Sequence, residues 1–476
     1  MASGRTSANG AVGGHVDLLV TGATVVTGRP DGLVQPDAAI AIAGERIEAI
    51  GPVADLRDAY APTRVLDARG WVAFPGLVNT HTHLYQTLLK GLGDDLPLME
   101  WLDAVTLPSI PHLTPRLCYV AAALGGIESL RSGCTTIFDY MVDHPDVEVF
   151  DAIVQALDDV GIHGVIGRGL RDRLPKEEPP LVPLADQLAD AVRLVDRYGA
   201  DRVWLTPGAT WAMTRDGLRA TRRLADERGL RISLHTDEAP FDSQESLRRF
   251  GQRTLPFLDG LGFLGRDVLH AHCVQLTEAD VQILARHGAA VSYNPVSNMY
   301  LGSGVPPIPR LLDAGVTVAL GADGAASNNS QDMLEALKIG ALLPKVAARD
   351  PAVITASDVL RMATSGGAAA MGRDDFGTLE PGKRADLFLF DPMQAKSLPM
   401  HDPVSTLVYA SGQANVRTTI VGGRVALDAG QVVGVDEATI LREAQGVASR
   451  LAEAAGTRSR LHGRWGRRRT PSAALA

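Results

Sequence analysis

The sequence predicts an α/β protein whose larger part is a (β/α)8 barrel and whose smaller part is a β-sandwich domain built from both ends of the chain. Two observations support this prediction. Short apolar runs alternate with segments that are apolar at helical spacing and end in glycine, the pattern of repeated strand–helix units. Strand-and-turn sequence, rich in β-branched residues and glycine, precedes the first of these units and returns after the last.

Eight apolar runs are the candidate barrel strands. The first ends at His81, and the other seven are residues 135–140, 162–168, 202–207, 231–236, 268–273, 289–295 and 316–323. Helical segments such as "PDVEVFDAIVQALDDVG" lie between them, and eight such repeats close a barrel. We therefore predict a barrel over residues 75–376.

The segments on either side of the barrel are expected to form one domain. Residues 16–74 contain "DLLVTGATVV" and "AAIAIAGERIEAIG", and residues 377–435 contain "RADLFLFD" and "VRTTIVGGRVALDAGQVV". Because both segments show the same strand-and-turn pattern, we assign them to a single composite β domain. Residues 1–15 are small and polar and are expected to be a disordered lead-in. Residues 436–476 are expected to form a helix and a basic tail.

The composition of the chain limits the classes of function that it can have. The chain has 476 residues, 45% of them hydrophobic, and a mean hydropathy of +0.04, so a large core can form. A formal net charge of −9 argues against a nucleic-acid or anionic-membrane partner, and no apolar run approaches the roughly 18 residues of a membrane span. Cys118, Cys134 and Cys273 are far apart, which argues against a disulfide framework or a thiolate zinc site. With no secretory signal, these features favour the cytoplasm.

Polar residues stand where several of the predicted strands end. "NTHTH" places His81 and His83 two residues apart, so their side chains point to the same side of the first strand. Three further strands end in a potential ligand or acid–base group: His235, His272 and Asp323. The carboxyl ends of barrel strands form the active-site face, and imidazoles with a carboxylate suit a divalent transition metal. Glu238 follows His235 by three residues and could reach a metal-bound water.

This constellation resembles the amidohydrolase superfamily. The likeness covers nearly the whole chain, through "PGLVNTHTH", "DGAASNNSQDM" and "PGKRADLFLFD". "HCVQLT", "NPVSNMYLGSGVPPIP" and "MATSGGAAAMG" resemble one branch more closely. That branch holds S-adenosylhomocysteine/methylthioadenosine deaminases, guanine and 8-oxoguanine deaminases, and the atrazine chlorohydrolase and melamine deaminase group. We also expect a homo-oligomer, a dimer or a higher assembly.

The resemblance implies a role for each polar residue at the strand ends. One divalent metal is bound by His81, His83, His235 and Asp323, His272 contacts the attacking water or the substrate, and Glu238 transfers protons. Binuclear members carry a carboxylated lysine at the end of the fourth strand, and "RVWLTPG" offers none, which favours a single metal ion. Zinc is the first choice, with ferrous iron open because it suits the same ligands. His270 could compete with His272, but the match to "AHC" favours the latter.

Six residues are candidates for contact with a small heterocyclic substrate: Tyr85, Gln86, Trp101, Arg168, Asn298 and Ser327. The rings of Tyr85 and Trp101 could stack on a planar substrate. Arg168 and Arg171, in "GRGLRDR", could meet an anionic group or form structural ion pairs. Asn298 and Ser327 lie in motifs that follow the seventh and eighth strands.

The leading hypothesis is a hydrolytic deaminase of an aminated purine, pterin or triazine. The adenosine-type deaminases of this branch bind ribose through an acidic residue and a histidine, at positions that correspond here to Ile110 and Gly208. Neither side chain can bond a hydroxyl, so S-adenosylhomocysteine/methylthioadenosine deamination is an alternative rather than the first choice. An s-triazine chlorohydrolase is a second alternative. A non-catalytic scaffold is the remote one, because every ligand position is filled.

Overall fold

The computed structural model describes residues 14–173 and 182–457, in which the strands belong to two sheets. The strands are β1 Gly14–Val26, β2 Val34–Ala43, β3 Arg46–Pro52, β4 Tyr60–Asp67, β5 Val72–Pro75, β6 Leu77–Thr82, β7 Cys134–Tyr140, β8 His163–Gly169, β9 Val203–Thr206, β10 Ile232–Thr236, β11 Val268–His272, β12 Ala290–Tyr293, β13 Thr317–Leu320, β14 Leu387–Phe390, β15 Val416–Val421, β16 Arg424–Asp428 and β17 Gln431–Val432.

Helices fill most of the connections between strands. The α-helices are α1 Val53–Ala59, α2 Leu98–Trp101, α3 Leu107–Ser109, α4 Pro115–Arg131, α5 Glu148–Val160, α6 Leu184–Tyr198, α7 Arg215–Arg228, α8 Pro240–Phe250, α9 Thr254–Gly260, α10 Glu278–His287, α11 Pro295–Tyr300, α12 Ile308–Asp313, α13 Met333–Ala348, α14 Ala356–Ala363, α15 Ser365–Ala370, α16 Pro403–Ala410 and α17 Glu437–Ala454. Short 3-10 turns occupy Leu84–Leu89, Ile110–His112, Thr210–Ala212 and Gln413–Asn415, and Leu102–Thr106 is a π-helical turn.

Strands β6 to β13 form the predicted barrel. They lie in chain order, each parallel to the next. The first and last strands meet, because the Thr80 hydroxyl donates to the Leu320 carbonyl at 3.0 Å and the Asp323 amide to the His81 carbonyl at 2.8 Å. Both faces of these strands are covered, which explains why the sequence shows continuous apolar runs here rather than alternation. The prediction of a (β/α)8 barrel is confirmed.

Glycines return the chain from helix to strand. Helix α5 ends at Gly161 and α7 at Gly229, both with left-handed backbone conformation (φ 85° and 64°), which costs glycine little because it lacks a Cβ. At the opposite end of α7 the Thr214 hydroxyl accepts from the Gly217 amide and so caps the helix. These signals set helix length, and with it the position of each strand end.

The second sheet joins the two ends of the chain. Its order is β17-β16-β15-β14-β5-β1-β2-β3, with β4 pairing β1, so β5 lies between the N-terminal β1 and the C-terminal β14. One apolar core unites residues of both ends: Ile40, Ile42, Leu387, Leu389 and Ile420. The composite β domain is therefore confirmed as part of the fold class.

The remaining features of the fold concern the two ends of the chain and the length of its helices. Strand β1 begins at Gly14, inside the segment predicted to be a lead-in; the rest of that segment and the basic tail from residue 458 lie outside the described residues. Helix α17 packs on α4, with an ion pair between Arg131 and Glu437 at 2.8 Å. Within the described ranges, no helix is both long and apolar enough to cross a membrane.

Candidate metal centre and active-site cavity

Five polar side chains converge at the carboxyl ends of the barrel strands. They are His81 on β6, His83 directly after β6, His235 on β10, His272 at the end of β11, and Asp323 just beyond β13. The Nε2 atoms of His83 and His235 are 3.2 Å apart. The Oδ1 atom of Asp323 lies 3.5 Å from the Nε2 atoms of both His81 and His83. The strand ends thus bring together the four predicted ligands and His272.

The donor set fits a single divalent ion. His81 is fully buried, yet neither of its ring nitrogens has a hydrogen-bond partner among the described residues. An ion with bonds of about 2.0–2.1 Å in tetrahedral geometry holds its ligand atoms roughly 3.4 Å apart. The observed 3.2 and 3.5 Å separations match that spacing, so a shared cation accounts for Nε2 of His81, which would otherwise be buried without a partner.

Backbone carbonyls orient two of the imidazoles. The Nδ1 atom of His83 lies 2.6 Å from the Tyr140 carbonyl and that of His235 lies 3.2 Å from the Gly208 carbonyl. A carbonyl only accepts, so Nδ1 carries the proton and Nε2 presents its lone pair to the centre. Burial and the nearby His81 lower the pKa of His83 to about 4, and the same causes lower the pKa of His235 well below its ordinary value. Both rings are therefore neutral at neutral pH, the form that binds metal.

Asp323 and His272 are held in uncommon backbone conformations. Their φ angles are 68° and 73°, in the left-handed region that residues other than glycine seldom adopt. The Ser297 hydroxyl donates to Oδ2 of Asp323 and the Gly324 amide to Oδ1 at 2.7 Å. Burial opposes ionisation of Asp323, but the adjacent His81 outweighs it and holds the pKa of this carboxyl well below its ordinary value. Asp323 is thus an anion aimed at the centre.

Glu238 stands beside the proposed ligands. Its Oε2 lies 3.6 Å from Nε2 of His272, and the carboxyl is 4% exposed. Burial, reinforced by Asp323 and Asp242, raises the pKa of Glu238 well above its ordinary value, which makes its carboxylate a stronger base than an exposed glutamate. His270 lies elsewhere: its Nδ1 is 2.8 Å from the Thr236 hydroxyl, and it is not part of the cluster.

An open cavity leads from this centre. Four of the predicted substrate-contact residues line it: Tyr85, Gln86, Trp101 and Ser327. The Trp101 indole is fixed by donating to the Ala326 carbonyl at 2.9 Å. Apolar side chains cover much of the remaining wall, among them Leu98, Leu102, Leu107, Ile110, Val142 and Leu301. The cavity is therefore suited to a largely apolar, planar molecule.

Two of the predicted substrate-contact residues are not among the residues that line this cavity. Arg168 does not line the cavity: it is 1% exposed, pairs with Asp190 at 2.6 Å and stacks over the Phe150 ring. Strand β8 points it outward into the barrel–helix layer, where its charge is compensated. Asn298 does not line the cavity either; its Nδ2 lies 2.9 Å from Nδ1 of His272, so it positions that imidazole.

Several cavity residues were absent from the predicted set. Tyr140 ends β7 as a polar residue, the same signal that identified the histidines, and its hydroxyl donates to the Gly208 carbonyl at 2.9 Å. Asp242 lies in the first turn of α8 and accepts from the Trp211 indole at 2.9 Å. Asp143 lies in the loop after β7, where the sequence gives no pattern that marks it.

Comparison with known proteins agrees with this geometry. The chain matches the amidohydrolase family over residues 72–426. It is 39% identical to the 5-methylthioadenosine/S-adenosylhomocysteine deaminase of Desulforudis audaxviator, over 87% of this chain and 95% of that protein. A crystal structure of an adenosine deaminase from Xanthomonas campestris with bound zinc is similar at a TM-score of 0.87, with 32% identity over 93% of this chain and 100% of that one. The zinc complex of atrazine chlorohydrolase from Arthrobacter aurescens reaches 0.83, with 27% identity over 90% and 100%.

Proposed function

Because this chain belongs to the amidohydrolase family, we propose that it is a metal-dependent hydrolytic deaminase of an aminated nitrogen heterocycle. The observation that supports this most is the convergence of a complete three-histidine, one-aspartate ligand set with Glu238 at the end of an apolar cavity. A scaffold without catalysis would have no need for a buried carboxyl next to such a set.

We assign one divalent ion to His81, His83, His235 and Asp323. When bound, such an ion supplies an activated water at neutral pH, because it lowers the pKa of water from 15.7 to about 7. Zinc is the first choice, since the adenosine deaminase and chlorohydrolase structures contain it, and ferrous iron suits the same nitrogen and oxygen ligands. A cytoplasmic location and a homo-oligomeric state stay predictions from the sequence.

Glu238 and His272 are assigned different hydrogen-bonding and proton-transfer roles in the reaction. Water adds to the ring carbon that carries the amino group, and Glu238 takes one proton from that water. Glu238 delivers that proton to the adjacent ring nitrogen, the second proton of the water passes to the amino group, the carbon–nitrogen bond breaks, and ammonia leaves as the ring carbonyl forms. His272, held by Asn298, faces the same carbon and can donate to the oxygen that develops there. Each positioned acid–base transfer contributes about 10²–10⁴ in rate.

The wall of the cavity favours a bare ring over a nucleoside. Ile110 lines the cavity with an aliphatic side chain, and Gly208 offers only a backbone carbonyl that already accepts from Tyr140 and His235. Ribose hydroxyls placed against Ile110 and Gly208 would lose water without gaining side-chain partners there, at about 1–3 kcal/mol each. A relative that is named for methylthioadenosine and S-adenosylhomocysteine therefore need not share its substrate with this chain.

A chlorinated s-triazine is the second candidate substrate, favoured by the apolar wall and by the similarity to atrazine chlorohydrolase. Addition of water would be the same, but chloride leaves without a proton.

One experiment separates the candidates. The zinc-loaded enzyme is assayed for ammonia release from guanine, melamine, S-adenosylhomocysteine and methylthioadenosine, and for chloride release from atrazine. We expect kcat/KM for guanine or melamine to exceed that of both adenosine compounds by at least tenfold. A tenfold advantage for either adenosine compound would make this a nucleoside deaminase, and chloride release alone would make it a dehalogenase.

A further inference from the structure

The segment after β12 contacts several of the polar groups at the centre. Residues 297–303 comprise the last four residues of α11 and the turn that follows it. The Ser297 hydroxyl donates to Oδ2 of Asp323, and Nδ2 of Asn298 lies 2.9 Å from Nδ1 of His272. Both contacts orient side chains that other barrel strands supply, so this segment is a common support for the site.

Ser303, at the far end of the same segment, contacts Glu238. The Ser303 hydroxyl donates to Oε1 of Glu238 at 3.4 Å, and the serine is 6% exposed. In the part of the chain that the structure describes, no other side chain donates a hydrogen bond to this carboxyl. The second carboxyl oxygen, Oε2, lies 3.6 Å from Nε2 of His272. The two oxygens therefore have different surroundings, with the serine on one and the centre beside the other.

Backbone contacts fix Ser303 in place. Its amide donates to the Asn298 carbonyl at 2.9 Å, and its carbonyl accepts from Nε2 of Gln275 at 2.7 Å. The Gln275 amide in turn donates at 2.8 Å to the carbonyl of Asp237, the residue directly before Glu238. The serine and the glutamate are thus connected through Gln275 as well as through the hydroxyl, which preorganises the contact between them.

The glycine after Ser303 allows the turn to pack this closely. Gly304 has a φ of 120°, a conformation that residues with a side chain rarely adopt. A Cβ at this position would lie 3.0 Å from Cγ1 of Val274, the neighbour of Gln275. The Ser-Gly pair in "NPVSNMYLGSGVPPIP" therefore combines a donor to Glu238 with the residue type that its turn requires.

A glutamate that takes a proton from water must keep a lone pair aimed at that water. The last torsion of a glutamate side chain is broad and roughly two-fold, so the plane of the carboxyl needs a further contact to fix it. We infer that Ser303 is a positioning residue, which fixes the Glu238 carboxyl through Oε1 so that Oε2 receives the proton of the attacking water. Hydrogen bonds at catalytic groups are often long before a substrate binds, and 3.4 Å fits that state.

The inference rests on the proposed function, because Glu238 is the proton acceptor there. The kinetic test is a double-mutant cycle on the zinc-loaded enzyme, with the heterocycle that gives the fastest ammonia release. We expect Ser303→Ala to lower kcat at least fivefold, a part of the about 10²–10⁴ that a positioned base contributes. KM should stay within twofold, since Ser303 is not among the cavity-lining residues. In the Glu238→Gln background, adding Ser303→Ala should change kcat less than twofold, because no base is left to position.

Ser132→Ala is the matched control for the loss of a buried hydroxyl. The Ser132 hydroxyl donates to the Ser129 carbonyl at 2.8 Å, and Ser132 is fully buried away from the cavity. Its kcat should stay within twofold of the wild type. A wild-type kcat in Ser303→Ala would overturn the inference. An equal loss of kcat in both the Glu238 and the Gln backgrounds would also overturn it, because the serine would then act independently of the glutamate.

Crystallography separates this inference from the proposed function because it needs no turnover. The zinc-loaded wild type and Ser303→Ala are compared at the Glu238 side chain. We expect the Ser303–Oε1 contact in the wild type and a carboxyl plane turned by at least about 30° in the variant, with the histidines unmoved. If no heterocycle releases ammonia, the proposed function fails, and a turned carboxyl still supports the positioning role of Ser303. An unturned carboxyl in Ser303→Ala refutes that role whatever the enzyme deaminates.

Discussion

Two buried histidines on different barrel strands, β6 and β11, provide a matched test of the metal centre. His81 and His270 are both 0% exposed, but the Nε2 of His81 faces Asp323 whereas the Nδ1 of His270 lies against the Thr236 hydroxyl. We expect His81→Ala to lose the metal and all measurable activity. His270→Ala should keep both, because its imidazole lies outside the ligand cluster.

The magnitude follows from linkage between binding and folding. An ion that binds only the folded chain stabilises it by about 2.7 kcal/mol at a free concentration 100 times its Kd, and by about 4.1 kcal/mol at 1,000 times. Both substitutions leave a similar cavity in the barrel, so their packing costs are comparable. The difference between the two variants therefore isolates the contribution of the ion.

The assay is denaturant unfolding of wild type and both variants, each with zinc and with a chelator, alongside elemental analysis. Chelation should lower the free energy of unfolding of wild type and His270→Ala by a few kcal/mol and leave His81→Ala unchanged. Full activity in a chelated, metal-free wild type, or equal zinc content in the two variants, would refute the proposed ligand set.

Three further predictions concern other parts of the molecule. Glu238→Gln should retain the metal but lower kcat by at least about 10², measured by steady-state ammonia release, and a wild-type kcat would place the proton transfer elsewhere. Burial, and then the neighbouring Arg384, lower the pKa of His163 from 6.5 to about 3, so as the pH falls through 6.5 the unfolded chain binds a proton that the folded chain does not. Wild type should therefore lose more unfolding free energy between pH 7 and 5 than His163→Gln; equal losses by denaturant titration would contradict this. A chain truncated at Gly377 lacks β14 and should expose the edge of β5, so a soluble, cooperatively unfolding truncation would show that the two ends fold independently.

The sequence was sufficient to predict that these polar side chains converge because the signal for each of them is local. The first barrel strand runs into His81-Thr82-His83, and His235, His272 and Asp323 lie at or just beyond the ends of β10, β11 and β13. The parallel, in-order barrel then brings those ends to one face whatever the details of the loops. The fold and the positions of the proposed ligands thus followed from the spacing of the apolar residues and from the glycines and polar residues at the ends of helices and strands.

The cavity wall could not be predicted in the same way because it depends on loops. Arg168 and Arg171 are three residues apart in one motif, yet the strand directs the first away from the cavity and the turn beyond it directs the second inward. The pairing of Arg171 with Asp143 joins two loops whose relative position no periodicity encodes. Asn298 was predicted as a substrate contact, but its Nδ2 lies 2.9 Å from Nδ1 of His272 and the residue is not among those that line the cavity.

Because β5 pairs with the much later β14, the second sheet can be completed only late in the synthesis of the chain. Its partner β14 lies about 300 residues further along the chain, which a ribosome adds in roughly 15–60 s at 5–20 residues per second. Throughout that interval β1 to β5 present an open edge, the kind of surface that other chains can join. The barrel strands and helices are complete before β14 emerges. The strands that are made last therefore complete the sheet that the first strands begin.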